Sequence, residues 1–257
     1  LDGPGTSALF NILGQSATVG NTIYVVDQLN GSVKKFDNSF NVTTLSFLSS
    51  NPVGLAARGT KLYVSDRLLN CIYEFDTISN IQSTLAGQCG LGGFNDGVGT
   101  LASFNSPMGL ALDGNTLYVA DRSNNALRAI DLSTPSNIVS TVGTTSDPVF
   151  VTANGSDIYT SSPTVNLITY FDSIAGTSLV IAGSSLGFSD NSLGTLAQFS
   201  GASGMATDGK SIFVTDRDNH SIRSIDTTNP NYPVNTDFGG TAGILYGEDI
   251  DGSMPKF

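Results

Sequence analysis

Short apolar segments separated by turn-forming residues recur along the chain, and the clearest example lies at residues 107–131. Residues 108–112 and 117–120 are mostly apolar and are joined by an Asp-Gly turn. An Asn-rich turn then leads to a third apolar segment at 126–130. Short apolar segments bounded by Gly, Asn and Asp are typical of antiparallel strands. The pattern therefore predicts a β-meander.

The same pattern is repeated five times. Its second strand is predicted near residues 23–27, 62–66, 117–121, 158–162 and 212–216, with the sequences IYVVD, LYVSD, LYVAD, IYTSS and IFVTD. A third strand ends in an apolar residue followed by Asp, and a fourth strand follows in several copies. Each four-stranded unit is too small to bury its own faces. Five units in tandem predict an all-β fold, a β-propeller with five recognisable blades.

The units resemble NHL repeats, a propeller family whose pattern is roughly P-x-G-[apolar]-A-x-D-x-x-G-x-[apolar]-Y-V-[apolar]-D-x-x-N-x-x-[apolar]-R-x-[apolar]. Residues 107–131 match nearly every position, residues 204–226 almost as many, and residues 52–76 match clearly. Blade four departs from the pattern, because Ser162 and Pro163 stand where other blades have an Asp-Arg pair. The resemblance extends over almost the whole chain. It indicates the fold and says little about function, since propellers host many activities.

The spacing between equivalent second strands alternates between short and long steps. The long steps contain an insertion with its own pattern, at 87–104 and 183–199, so that two blades form a repeat of about 95 residues. Similar sequences stand at 1–10 and 239–257. Residues 1–257 are therefore expected to form a single NHL-like domain. Two architectures remain open: a closed five-bladed ring, or part of a six-bladed ring that belongs to a longer chain or assembly.

The charge balance restricts the kinds of partner. Acidic residues outnumber basic residues by 22 to 11, which gives a formal net charge of −11. A nucleic-acid interface needs a basic patch, so no nucleic-acid partner is expected. No apolar segment approaches the roughly 20 residues of a membrane span, so no direct membrane insertion is expected. The abundance of Gly, Ser, Thr and Asn favours an exported protein that is extracellular, on the cell surface or periplasmic.

Asp-Arg pairs follow the second strand in three blades and should lie on one rim of the propeller. As a binding site, these pairs would offer Arg as a bidentate donor to an anionic or polar ligand. As a structural device, each Asp would accept turn amides and each Arg would cover the adjacent blade, and the repetition favours this second interpretation. The candidate ligand-binding residues are Asp66, Arg67, Asp121, Arg122, Asp216 and Arg217.

In four blades an Asn occupies, to within one residue, the same place in the hairpin turn after the second strand, where Asn tolerates left-handed backbone and bonds its own main chain. These residues are Asn70, Asn125, Asn166 and Asn219. Cys71 in a third strand and Cys89 in the following loop form a possible disulfide, as is common in exported proteins. The alternative is a buried free Cys71 and an incidental Cys89.

The residue inventory offers little support for enzyme chemistry. His220 is the single histidine, which excludes a multi-His metal centre. Lactonase-type six-bladed propellers hold Ca²⁺ with Glu, Asn and Asp, whereas Glu74 and Glu248 are the only glutamates here and neither is a convincing axial ligand. Carboxylates of the insertions, such as Asp96 and Asp190, could bind Ca²⁺, but without an EF-hand spacing they favour turns. No metal site and no cofactor is predicted.

The function favoured by the sequence is non-catalytic: an extracellular or cell-surface recognition or scaffold module. Its expected ligand is a protein, a peptide or a glycan, bound through a propeller face or through the insertions, because long loops on a rigid scaffold often carry binding. Two alternatives remain open. One is a calcium-dependent hydrolase or lyase of the six-bladed propeller type, and the other is a structural subunit of a larger surface assembly.

Overall fold

The structure is a computed structural model that describes residues 1–46 and 49–239. In this part of the chain, 22 strands form five antiparallel sheets, which are the five blades of a β-propeller. Within each blade, four consecutive strands pair in chain order from the first to the fourth. The predicted all-β propeller with five four-stranded blades is confirmed.

The strands are bounded as follows. Blade 1 contains β1 (Gly3–Pro4), β2 (Leu13–Val19), β3 (Thr22–Asp27), β4 (Ser32–Phe36) and β5 (Asn41–Thr44). Blade 2 contains β6 (Pro52–Arg58), β7 (Lys61–Asp66), β8 (Cys71–Asp76) and β9 (Ile81–Ala86). Blade 3 contains β10 (Gly97–Val98), β11 (Pro107–Asp113), β12 (Thr116–Asp121), β13 (Ala126–Asp131) and β14 (Ile138–Thr144). Blade 4 contains β15 (Phe150–Asn154), β16 (Asp157–Ser162), β17 (Leu167–Asp172) and β18 (Thr177–Ala182), and blade 5 contains β19 (Ala202–Thr207), β20 (Ser211–Asp216), β21 (Ser221–Asp226) and β22 (Val234–Gly239).

Helical structure in the described residues is limited to single 3₁₀ turns. Three of them follow a second strand, at Gln28–Asn30, Arg122–Asn124 and Arg217–Asn219, and two lie in the insertions, at Gly99–Leu101 and Gly194–Leu196. No helix in this part of the chain has the length and hydrophobicity of a membrane span. The insertion pattern expected at 239–257 lies outside the described residues, except for Gly239.

Each hydrophobic core lies between two successive blades. Tyr63 and Ile72 of blade 2, for example, pack against Leu110, Val119 and Ile130 of blade 3. We call the side of a blade that carries the equivalents of Tyr63 and Ile72 its leading face, and the side that carries the equivalents of Val119 and Ile130 its trailing face. Four cores of this kind join blades 1 to 5 in the described residues.

A glycine in the first strand allows neighbouring blades to approach closely at the axis. A Cβ atom on Gly54 would lie 2.3 Å from the carbonyl oxygen of Met108 in the next blade. Gly14 and Gly109 have the same relation to the next blade, with a distance of 2.7 Å to its backbone oxygen. Because no side chain fits in this space, the glycine of the repeat pattern fixes the blade-to-blade distance.

The insertions are integral parts of the blades. The insertion before blade 3 contributes β10, which pairs with the outer strand β14. Its Phe104 is fully buried in the core between blades 2 and 3, and Phe199 is fully buried in the equivalent core between blades 4 and 5. Cys71 and Cys89 form a disulfide, with their Cα atoms 5.1 Å apart, that ties the start of this insertion to β8.

Candidate binding site

The aspartates that end the second strands are fully buried inside their blades. Asp66, Asp121 and Asp216 are all inaccessible to solvent, as is Asp27 of blade 1. Each accepts a hydrogen bond from a backbone N–H of the segment that precedes its blade, for example from Asn105 to Asp121 at 2.8 Å. These carboxylates therefore fix the entry of the chain into each blade, and their side chains do not reach a ligand-accessible surface.

A fully buried arginine pairs with this aspartate in blade 3. The guanidinium of Arg128 donates to Asp121 at 2.8 Å and to Asp96 of the insertion at 2.7 Å. It also donates to two backbone carbonyls of the insertion and lies between the rings of Phe94 and Phe104, at 4.9 and 5.2 Å from their centroids. Arg128 thus connects the insertion to the strand-ending carboxylate.

Blades 1 and 5 repeat this arrangement. Arg223 donates to Asp216 at 2.8 Å and to Asp190 at 2.7 Å, between two phenylalanine rings. In blade 1, Lys34 replaces arginine and donates to Asp2 at 3.1 Å. The carboxylates that the sequence offered as oxygen ligands for Ca²⁺, Asp96 and Asp190, thus bind buried arginines. Sequence reasoning missed this role, although an arginine at this place is part of the repeat pattern.

The rim arginines occupy three different environments. Arg122 forms a forked pair with Asp147, from Nε to Oδ1 at 2.5 Å and from Nη2 to Oδ2 at 3.2 Å. Partial burial raises the pKa of Asp147, but hydrogen bonds from Arg122 and Thr164 outweigh this effect and hold the pKa below its ordinary value. Arg217 pairs with its neighbour Asp218 and is 65% exposed. Arg67 is half-buried.

A cavity of about 890 Å³ lies at the propeller axis, and all five blades line it. Arg122 and Arg217 are among its lining residues, whereas Arg67 and the strand-ending aspartates are not. The remaining lining is largely apolar and includes Ile12, Met108 and Phe150. Two of the six sequence-predicted site residues therefore meet at one concave surface. An apolar wall with a few charged groups suits an organic ligand that carries an anionic group.

Gln15, in the first strand of blade 1, binds the first strands of blades 2 and 3. Its Oε1 accepts the backbone N–H groups of Leu55 at 3.1 Å and Leu110 at 2.8 Å, and its Nε2 donates to the carbonyl of Leu110 at 3.3 Å. A side chain of blade 1 thus binds the backbones of blades 2 and 3. This contact gives one wall of the cavity a fixed position, and it could not be read from a local pattern.

The turn after the second strand contains two distinct positions rather than one. Asn70, Asn125 and Asn166 adopt left-handed backbone, as expected. Asn219 does not: the left-handed residue of its turn is His220, with φ of 52°. The side chain of Asn219 instead donates to Asp216 at 2.8 Å. The expectation for Asn219 was therefore wrong by one position.

The described residues contain no group of three or more His, Cys, Asp or Glu side chains that could hold a metal ion. Glu74 forms an ion pair with Lys61 at 2.8 Å on the blade surface. Glu248 and the carboxylates near it lie outside the described residues. The candidate binding site among the described residues is therefore the axial cavity.

Comparison with known proteins agrees with the repeat pattern. No family model matches the chain. NHL repeat-containing protein 2 of Bos taurus is 35% identical over 99 residues, which are 37% of this chain and 13% of that protein. Protein SUPPRESSOR OF QUENCHING 1, chloroplastic, of Arabidopsis thaliana is 38% identical over 88 residues, 34% of this chain and 8% of that protein. The chain is a β-propeller whose repeats are similar to those of NHL repeat-containing protein 2. It spans only a small part of the length of either curated relative.

Solved structures share the propeller fold of this chain at low sequence identity. An auxiliary nutrient binding protein from Bacteroides ovatus has a TM-score of 0.71 and 16% identity, covering 92% of this chain and 60% of its own. A chain of the nidogen/laminin complex has a TM-score of 0.54 and 16% identity, covering 66% and 63%. Virginiamycin B lyase from Staphylococcus aureus has a TM-score of 0.60 and 13% identity, covering 86% and 68%. At these identities the likeness shows the fold alone.

Proposed function

We propose that this NHL-type propeller is a non-catalytic recognition module, and that it binds a protein, peptide or glycan ligand in the axial cavity. The observation that carries the proposal is the meeting of Arg122 and Arg217 at a largely apolar concave surface. Each of these arginines uses Nε and Nη2 to bind an aspartate, and its Nη1 group is the further donor that it would offer to a carboxylate or another planar anion. The ligand class we favour is therefore a peptide or glycan segment that is neutral apart from one carboxylate. That carboxylate would enter the cavity.

The cavity is a better site for recognition than the insertions. Phe104 and Phe199 hold both described insertions in the blade cores, and Arg128 and Arg223 bond to the carbonyls of these insertions. A loop fixed in this way contributes to stability first. Two fold neighbours, an auxiliary nutrient binding protein and a chain of a nidogen/laminin complex, add support for a binding role and for an extracellular, cell-surface or periplasmic location.

The test is a binding screen with arginine variants. The probes are a panel of uronic-acid oligosaccharides and short peptides with free carboxylates, each matched with its neutral amide or reduced form, measured by isothermal titration calorimetry. We expect at least one acidic probe to bind, and its neutral form to bind at least tenfold more weakly, a difference of about 1.4 kcal/mol.

The variants R122Q and R217Q, alone and combined, should weaken this binding. Arg58→Gln is the matched control, because Arg58 donates to Asn115 and does not line the cavity. Equal affinities for the wild type, R122Q and R217Q would contradict the assignment of the site. A panel without any binder would contradict the carboxylate specificity.

A further inference from the structure

Among the residues that the structure describes, none covers the leading face of blade 5. Phe213 is 36% exposed and Ile222 is 38% exposed, whereas their equivalents in blades 1 to 4, which include Tyr63 and Ile72, are buried. Phe238 of β22 pairs with Ile222 in register and is 69% exposed, although its equivalent in blade 2, Ala86, is fully buried. Three large apolar side chains of one face are therefore open to solvent.

Blade 1 has the complementary uncovered face. Ile23 on its trailing face is 40% exposed, while the equivalent residues Leu62, Leu117, Ile158 and Ile212 are fully buried. The first strands of successive blades lie side by side from β2 through β6, β11 and β15 to β19, but β19 and β2 form no comparable contact in the described part of the chain. Blades 5 and 1 thus border an opening.

Backbone contacts at the axis show the same interruption. A Cβ atom on Gly54 would meet the backbone of the next blade, whereas a Cβ atom on Gly204 of blade 5 would meet only the hydroxyl of Thr215 in its own blade. Ser65 and Ser161 donate to a carbonyl of the following blade. Their equivalent in blade 5, Thr215, donates to the carbonyl of Gly204. Groups that bridge two blades elsewhere meet no second blade here within residues 1–46 and 49–239.

The aromatic residue of the first insertion indicates what kind of face should cover blade 1. Phe10 stacks on Phe36 with ring centroids 5.8 Å apart and is half-buried. Its equivalents Phe104 and Phe199 are fully buried because the leading face of blade 2 or blade 4 closes over them. A leading face with the tyrosine, isoleucine and alanine of these two blades would complete the burial of Phe10.

We propose that the opening between blades 5 and 1 is the docking site of a sixth NHL-type blade, a four-stranded antiparallel sheet with a leading face like those of blades 2 and 4. The five observed blades follow one another in the chain, and each of blades 2 to 5 covers the leading face of the blade before it. A sixth blade carried in cis would do the same for Phe213 and Ile222 and would close over Phe10.

The test adds such a blade to the 257-residue chain. A copy of residues 148–182, which contain blade 4, is fused after Phe257. In this copy the equivalent of Phe171 is changed to Ile. The reason is that the Phe171 ring lies 3.0 Å from where a Cβ atom on Gly143 would stand, so it accepts only a small opposing residue, and Phe238 occupies that place in blade 5. A second fusion with aspartate at the copied Ile158 and Tyr159 positions is the matched control.

The readouts are binding of the fluorescent dye ANS, which reports exposed apolar surface, and the melting temperature. The 257-residue chain should bind ANS, the fusion should bind at least twofold less, and its melting temperature should rise by about 5 °C or more. Ile222→Asp should cancel the gain in the fusion and change the 257-residue chain little. The proposal would be overturned if the chain alone binds no ANS, or if the fusion and its control melt alike. Neither readout depends on the ligand of the cavity.

Discussion

Removing the guanidinium of Arg128 should destabilise the protein more than any change of a rim arginine. The substitution Arg128→Met keeps most of the side-chain volume and removes the charge and all donors. Asp121 then remains fully buried without its cation. Burial already raises the pKa of Asp121 above its ordinary value while Arg128 is present, which shows how strongly this environment opposes the carboxylate.

The magnitude follows from the contacts that are lost. Breaking a buried ion pair by removing one partner costs about 3–5 kcal/mol, because the other charge stays buried. The hydrogen bond from Asn105 to Asp121 survives and moderates this cost. The carbonyl of Ser103 loses the donor Arg128, which adds about 1 kcal/mol, whereas the carbonyl of Asn95 still accepts the N–H of Ser103. We expect a loss of about 4 kcal/mol in the free energy of unfolding.

The assay is urea unfolding followed by circular dichroism at 25 °C. Arg223→Met should cost a similar amount, because its contacts in blade 5 repeat those of Arg128. Arg128→Lys should retain part of the stability, since Lys34 fills the same place in blade 1. Asp96→Asn gives a milder variant that should fold, with a loss of about 1 kcal/mol, because Asp96 is half exposed. If R128M unfolds within 1 kcal/mol of the surface variant R58M, the reasoning is refuted.

Four further predictions concern stability. Phe104→Ala should lower the free energy of unfolding by about 3–5 kcal/mol in urea, because the ring is fully buried between two blades. Cys89→Ser should cost about 3 kcal/mol by the same assay, because the disulfide closes a sequence separation of 18. Hydrogen bonds from Thr44 lower the pKa of Asp2, and those from the turn amides lower that of Asp76, each to about 2 from 3.8. Their contribution is therefore complete above pH 4 and should be lost as the pH falls from about 4 to 2, seen as a falling melting temperature. Ser162→Asp should destabilise the protein by about 3 kcal/mol in urea, because it would bury an unpaired carboxylate in blade 4.

The strands could be predicted from the sequence because their signals are local. Alternating apolar residues predict each strand, and the turn formers between strands predict each hairpin. The repeat contains five similar sequences that all predict the same hairpin. The predicted second strands agree with β3, β7, β12, β16 and β20 to within one residue at their N-terminal ends. Left-handed Asn70, Asn125 and Asn166 follow from the same local chemistry.

The ion pairs could not be predicted, because the partners lie far apart in the sequence. Adjacent Asp121 and Arg122 suggested a paired unit on the rim, but Asp121 points into the blade and binds Arg128, while Arg122 binds Asp147 across a separation of 25 residues. In a β-strand, successive side chains face opposite sides, so sequence neighbours at a strand end have different partners. The lining of the axial cavity could not be predicted either, because its residues come from five blades that lie far apart in the sequence.

The buried ion pairs between the second and third strands explain why blade 4 departs from the repeat pattern at two positions. In blade 3, Arg128 on the third strand balances the buried Asp121, and blades 1 and 5 carry equivalent pairs. Blade 4 has Ser162 at the aspartate position and Thr169 at the arginine position, so both charges are absent together. A buried carboxylate without a cation is costly, and so is the converse. Blade 4 therefore loses both charges together. Blade 2 differs again: its buried Asp66 has Tyr73 at the arginine position and accepts four hydrogen bonds, from a hydroxyl and from three backbone N–H groups.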